Sequence, residues 1–135
     1  MDYQIEKIEG IGPTYGAKLA AAGITKTSKL LSMCCSAKGR KAVAAKTGLD
    51  QKQLLKWANM ADLMRISGVG EEYSELLEAA GVDTVKELRN RRPDSLTAKM
   101  AEVNQARGLT RQAPGLAQVT KWVDQAKSLD PVITH

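Results

Sequence analysis

Hydrophobic residues recur along this chain at three- and four-residue intervals, the spacing of an amphipathic helix. This spacing predicts helices over residues 37–46, from Pro93 through Val103, and over residues 116–129. Gly and Pro interrupt every stretch that could form a strand, so we expect an all-α fold. The clearest helix is predicted over residues 51–63, is capped by Asp50 and has the apolar positions Leu54, Leu55, Trp57, Ala58, Ala61 and Leu63.

The same pattern occurs twice. Residues 8–12 read Ile-Glu-Gly-Ile-Gly, and 58 residues later residues 66–70 read Ile-Ser-Gly-Val-Gly. The repeated pair of glycines predicts a tight turn between two helices, because glycine adopts a positive φ without steric cost. We therefore predict two tandem helical units, residues 1–64 and 65–135. No flexible linker separates them, so they should pack as one compact body.

Each unit carries one tryptophan, Trp57 in the first and Trp122 in the second, and both follow a lysine. Their offset is 65 residues rather than 58, which implies an insertion of seven residues in the second unit. A tryptophan at one place in both units is typical of a core position. The alternative is a base-stacking tryptophan, which requires an exposed ring.

A turn of this kind leaves backbone N–H groups unpaired at the start of the next helix, where the helix dipole also favours a phosphate oxygen. The first turn fits this use better, because Glu71 and Glu72 follow the second turn and would repel a phosphate. Lys7 adds positive charge nearby. The nucleic-acid-binding residues predicted from the sequence are Gly10, Gly12, Thr14, Lys18, Lys38, Arg40 and Lys41.

A dinucleotide-binding loop is a second interpretation of Gly10, Gly12 and Gly16. That loop must follow a β-strand, whereas Ile5 and Ile8 have the spacing of a helix. The second unit has Ser74 in place of the third glycine. The dinucleotide interpretation is therefore disfavoured.

The formal net charge is +5 and it is unevenly distributed. Residues 1–63 contain ten Lys/Arg and five Asp/Glu, whereas residues 64–135 contain ten of each. An excess of positive charge beside the first turn favours a nucleic-acid partner. The alternative is a solvated basic helix face, because a charge of this size is ordinary for a small soluble domain.

Catalytic and metal chemistry have little support in the sequence. The chain has one histidine, His135, and two adjacent cysteines, Cys34 and Cys35, which geometry disfavours as a disulfide. These residues supply neither a zinc site nor a catalytic triad, so we expect no enzyme activity, metal or cofactor. No apolar stretch reaches the ~20 residues of a membrane span, and residues 1–4 do not resemble a signal peptide. We therefore expect a cytoplasmic protein.

Two phrases carry a family resemblance: Asp-Leu-Met-Arg-Ile-Ser-Gly-Val-Gly-Glu-Glu-Tyr at residues 62–73, and Leu-Leu-Glu-Ala-Ala-Gly-Val-Asp-Thr-Val-Lys-Glu-Leu at residues 76–88. With the closing Trp122 helix, they resemble a bacterial family known as domain of unknown function 4332. The first unit fits the same pattern. The resemblance implies an all-α, SAM-like fold built on helix-hairpin-helix motifs, and it implies no activity.

The turn followed by Gly-(Ile/Val)-x-Thr also resembles two other kinds of module. These are the C-terminal repeats of a bacterial transcription elongation factor and the C-terminal domain of the RNA polymerase α subunit, and such modules bind proteins, DNA or both. Two functions follow. One is weak, sequence-independent binding of a DNA or RNA backbone through the first turn and the basic helix. The alternative is a protein-interaction or scaffolding module in which both turns are architecture.

Overall fold

The computed structural model describes residues 2–135, which form an all-helical fold, as predicted. A 3-10 turn, Ile5–Lys7, precedes the first α-helix. No strand forms within the described residues, although Gln4 and Lys26 make an isolated antiparallel bridge. The α-helices are α1 (Pro13–Ala21), α2 (Thr27–Cys34), α3 (Ala37–Thr47), α4 (Gln51–Leu63), α5 (Glu71–Ala79), α6 (Val85–Leu88), α7 (Pro93–Arg107) and α8 (Leu116–Lys127).

The helices begin and end where local sequence signals place them. The Asp50 carboxylate accepts a hydrogen bond of 3.0 Å from the backbone N–H of Lys52 at the start of α4, which confirms the predicted cap. Gly48 ends α3 in the left-handed conformation, at φ 75°. The last helix is shorter than expected, since α8 ends at Lys127 rather than at Leu129.

Two hydrophobic clusters form the interior. The first runs from Ile5 to Met64, and the second runs from Leu63 to Ala126. Neighbouring residues at the end of α4 thus belong to different clusters, so the chain passes from one core to the other without a linker. Helix α4 contacts α2 and α3 of the first half and α5 of the second half. No helix in the described part of the chain is long and apolar enough to cross a membrane.

The sequence repeat is also a repeat of backbone geometry. We call residues 8–12 turn 1 and residues 66–70 turn 2. Two hydrogen bonds recur at the 58-residue offset, one closing each turn and one after each following helix. They are Ile11 N–H to Ile8 O and Val69 N–H to Ile66 O, both 3.1 Å, and Ile24 N–H to Leu19 O and Val82 N–H to Leu77 O, both 2.9 Å.

The last residues of the chain, 130–135, return to the first cluster, and we call them the C-terminal tail. Val132 and Ile133 pack against that cluster. The backbone N–H of Thr134 donates to the carbonyl of Cys35 at 2.7 Å. The tail therefore joins the end of the chain to its first half, a connection that the hydrophobic pattern does not predict.

Candidate nucleic-acid interface

Only the first glycine of each turn needs the conformational freedom that the sequence indicated. Gly10 and Gly68 have φ of +95° and +90°, which side chains other than glycine's rarely tolerate. Gly12 and Gly70 are extended, with φ of −88° and −105°, and they are the N-cap residues of α1 and α5. The second glycine therefore serves helix initiation rather than the turn itself.

A buried tryptophan supports each turn. A Cβ added to Gly10 would lie 3.4 Å from Trp57 Nε1, and one on Gly68 would lie 3.3 Å from Trp122 Nε1. The two indoles are 1% and 2% exposed, so the predicted core role is confirmed and base stacking on these rings is excluded. The partner rings repeat as well, since Tyr15 lies 5.4 Å from Trp57 and Tyr73 lies 5.1 Å from Trp122, centroid to centroid.

The N-terminus of α1 is exposed at Gly12. The first intrahelical bond runs from Gly16 N–H to Gly12 O at 2.8 Å, so the N–H groups of Thr14 and Tyr15 precede the helical ladder. No side chain caps this end, and its first turn contains no acidic residue. A Cβ on Gly12 would meet nothing within 4 Å, which leaves room for a ligand to approach the backbone.

The N-terminus of α5 has the same backbone and the opposite charge. Ser74 N–H donates to Gly70 O at 2.9 Å, and no side chain caps the helix. Glu71 and Glu72 occupy its first turn and are exposed. These carboxylates interact favourably with the positive end of the helix dipole and would repel a phosphate.

Turn 2 also borders a groove shared with the first half of the chain. Residues 70–73 line this open groove together with Tyr3 and Lys7, and its volume is about 320 Å³. Lys7, which the sequence placed near turn 1, therefore also faces the acidic start of α5.

The lysines of the predicted interface lie on two helices that contact each other, α1 and α3. Thr14 and Lys18 are exposed and four residues apart, so they share one face of α1. Lys38 and Lys41 are exposed and three residues apart on α3. These four residues, with Gly10 and Gly12, are the predicted site residues that remain accessible.

Arg40 is not part of that surface, and its inclusion in the predicted phosphate-binding face is wrong. Its side chain is buried, with 4% of the residue exposed. One guanidinium nitrogen donates to the carbonyl of Cys34 at 3.0 Å, and the other donates to the carbonyl of Thr134 at 2.7 Å. Helical spacing explains this, because Arg40 lies three residues before the buried Val43 and faces inward with it.

The family model for a domain of unknown function (DUF4332) matches residues 9–129. The chain belongs to this family. The match includes turn 1 from Glu9 onward, all of turn 2 and both tryptophans, so it extends over both repeated units rather than one of them. No curated protein and no solved structure matches the chain.

The DUF4332 chain also has a cluster of carboxylates between its two halves. Burial raises the pKa of Glu75 in α5, and the nearby carboxylates of Glu9 and Glu78 raise it further, while Arg107 and Lys56 oppose the shift. Glu9 immediately precedes Gly10, so this side of turn 1 is negative. A further carboxylate lies beside α1, since a Cβ added to Gly16 would lie 3.1 Å from Glu6 Oε1.

The two cysteines of this DUF4332 chain are free, with Cys34 buried and Cys35 partly buried. Burial raises the pKa of the Cys34 thiol to about 11, which keeps it protonated and unreactive near neutral pH. Within residues 2–135, no group of three His, Cys, Asp or Glu side chains could hold a metal ion.

Proposed function

We propose that this DUF4332 protein is a non-enzymatic, SAM-like helix-hairpin-helix module that binds a nucleic-acid backbone weakly and without sequence preference. Turn 1 and the lysines of α1 and α3 would form the binding surface. The observation that supports this most strongly is the N-terminus of α1, which has no capping side chain, is open at Gly12 and has no acidic residue among its own first-turn residues. A cytoplasmic location belongs to the same proposal.

The proposed contacts act on phosphates and not on bases. A phosphate oxygen at the start of α1 would accept hydrogen bonds from the amides of Thr14 and Tyr15 and gain from the helix dipole. Lys18 would stabilise the same charge, and Lys38 and Lys41 would contact phosphates further along the strand. With Arg40 withdrawn, about three to four phosphate contacts remain, so the log–log salt slope should be about −3 to −4, with micromolar or weaker affinity.

Fluorescence anisotropy with labelled single- and double-stranded DNA across a salt series tests this proposal. The variant is Lys18→Gln/Lys38→Gln/Lys41→Gln. The matched control is Lys86→Gln/Lys99→Gln/Lys121→Gln, which removes the same charge from exposed positions in the second half of the chain. We expect the first triple to reduce the magnitude of the salt slope by about 2 to 3, since each lost contact removes about 0.9.

The control triple should leave both slope and affinity nearly unchanged. Equal losses in the two triples would show that net charge alone drives binding and would contradict a surface at turn 1. An absence of wild-type binding at low salt would remove the nucleic-acid proposal altogether. Circular dichroism on both triples ensures that the comparison is made between folded proteins.

The second candidate function is a protein-interaction or scaffolding module in which both turns are architecture. The groove between Tyr3 and Tyr73, with the Glu71–Glu72 pair at its edge, favours this alternative. It predicts a protein partner, or self-association, that persists at high salt. A pull-down in high salt that recovers nucleic acid and no protein would contradict it.

A further inference from the structure

The C-terminal tail is held by side chains and carbonyls that lie far from it in sequence. Arg65 donates to the carbonyl of Asp130 at 3.0 Å, and Arg40 donates to the carbonyl of Thr134 at 2.7 Å. The carbonyl of Cys35 accepts from the backbone N–H of Thr134, also at 2.7 Å. We call the surface that receives the tail, formed by these three residues and the adjoining edge of the first cluster, the tail groove.

Arg40 leaves the tail groove incomplete when no tail is bound. The residue is buried, and none of the ion pairs within residues 2–135 includes it. Its two acceptors are main-chain carbonyls, and one of them belongs to the tail. Because burying a charge without its partners is costly, the groove favours a bound segment that presents a carbonyl at the place of Thr134.

The tail is packed on one side and open on the other. Residues 130–135 form no helix or strand, and none of them is buried. Val132 and Ile133 pack against the first cluster, and they also line an open cavity of about 320 Å³ that extends to α6. Segments with few buried contacts open at a low cost in free energy. The tail can therefore leave its groove while the two clusters stay folded.

A short hinge connects the tail to the second half of the chain. Leu129 packs against the second cluster, and Val132 packs against the first. Asp130 and Pro131 lie between them, and both are exposed. Pro131 fixes its own φ and favours an extended conformation at Asp130, which limits how the hinge can fold back. Short hinges favour the exchange of a segment between two copies of a chain.

We propose that two copies of this chain exchange their tails, so that each tail groove binds residues 130–134 of the other copy. The exchanged dimer forms the same hydrogen bonds and apolar contacts as the monomer, and only the hinge changes. The tail of the same chain competes at a millimolar effective concentration, so wild-type dimers should form at about 1 mM chain and be rare at micromolar concentration. The exchange gives the self-association of the second candidate function a defined contact, and it does not rest on nucleic-acid binding.

Analytical ultracentrifugation of two complementary variants tests the exchange. Arg40→Leu weakens the tail groove and leaves the tail intact, whereas Val132→Ser/Ile133→Ser weakens the tail and leaves the groove intact. Each variant alone should dimerise more weakly than the wild type. Their equimolar mixture should form a heterodimer at least about tenfold tighter than the wild-type dimer, because the intact tail and the intact groove no longer have a competing partner in their own chains.

The matched control for the tail variant is Val103→Ser/Leu109→Ser. It removes two partly buried side chains from the second cluster and leaves both the tail and the groove intact. Mixed with Arg40→Leu, this control should associate no more tightly than the wild type does with itself. Circular dichroism checks that each variant is folded.

A synthetic peptide of residues 128–135 replaces the Arg40→Leu chain if that variant fails to fold. The peptide should bind the Val132→Ser/Ile133→Ser chain saturably below about 1 mM. A peptide that carries the same two serines should bind at least about tenfold more weakly, because it lacks the apolar side chains that pack against the first cluster.

The proposal is overturned if the complementary mixture stays monomeric at about 1 mM, or if the tail variant binds neither partner chain nor peptide. A wild-type dimer that the two serine substitutions leave undiminished would place the interface elsewhere and would also overturn it. DNA anisotropy measured on the tail variant should match the wild type, so this proposal and the nucleic-acid proposal fail separately.

Discussion

Turn 1 and turn 2 have nearly the same backbone conformation, but the helices that follow them differ in charge. Gly10 and Gly68 have φ within a few degrees of each other, at +95° and +90°, and each lies over an indole nitrogen. The helices that follow differ at matched positions. Helix α5 has glutamates at 71, 72, 75 and 78, where α1 has Pro13, Thr14, Ala17 and Ala20.

The same alignment places the exposed Lys18 opposite the buried Leu76. The two copies thus share what the turn requires, a glycine packed on a tryptophan, whereas the helices that follow differ in charge and, at Lys18 and Leu76, in burial. In our proposal only the first copy uses that difference for a ligand.

The largest expected effect tests the shared part of the comparison. Trp57→Ala and Trp122→Ala should each destabilise the protein by about 3–5 kcal/mol, because each removes a buried aromatic side chain beneath a turn. Urea denaturation followed by circular dichroism measures both. A tolerated substitution at either position would mean that the two units are not supported in the same way.

The second prediction separates the two glycines of each turn. Gly10→Ala and Gly68→Ala should each cost about 1–3 kcal/mol, since a Cβ is strained at positive φ and approaches the indole. Gly12→Ala and Gly70→Ala are the controls and should cost no more than about 1 kcal/mol, because the N-cap backbone is extended and open. Comparable losses at all four positions, measured by urea denaturation, would contradict this division.

The third prediction concerns a variant in which the helix after turn 1 begins with a carboxylate, as the helix after turn 2 does. Thr14→Glu places a carboxylate in the first turn of α1, where α5 has Glu72. Stability should rise by about 0.3–1 kcal/mol through the helix dipole, while DNA affinity at low salt should fall severalfold. Thr14→Gln is the uncharged control and should change neither quantity. Unchanged DNA affinity in the folded Thr14→Glu protein would exclude the start of α1 as the phosphate site.

The smallest expected effect concerns Glu75, a carboxylate of α5 that α1 lacks. The pKa of Glu75 is raised in the folded state. The contribution of this side chain to the free energy of unfolding is therefore present at acidic pH and is lost as the pH rises through that pKa. Glu75→Gln should therefore stabilise the protein near neutral pH, by less than about 0.5 kcal/mol, and should not stabilise it near pH 4. Thermal unfolding at both pH values measures this, with the exposed Glu102→Gln as control. A gain confined to acidic pH would reverse the assigned sign.

Most of the helical framework could be predicted because its signals are local. Asp50 before α4, Gly48 after α3 and Pro93 at the start of α7 each act within one helical turn, and the structure has a boundary at each. The core position of the two tryptophans followed from their repetition. Such features need no knowledge of what packs against them.

The errors and omissions concern contacts that are distant in sequence. Arg40 looked like one more cation in a basic helix, although its spacing from Val43 was the available sign that it faces inward. Its acceptor on Thr134 lies 94 residues away, so no local pattern could reveal it. The groove beside turn 2 is similar, since Tyr3 and Lys7 come from the first half of the chain and residues 70–73 from the second.

The bond between Arg40 and Thr134 bears on how the protein is made on the ribosome. The first half of the chain emerges with an arginine whose final acceptor has not yet been synthesised. The carbonyl of Cys34 is already available to one guanidinium nitrogen, but the nitrogen that binds Thr134 must stay hydrated or find a temporary partner until the tail leaves the exit tunnel, since burying an unpaired charge is strongly destabilising. The first hydrophobic cluster can therefore reach its final packing only after residues 130–135 have been synthesised.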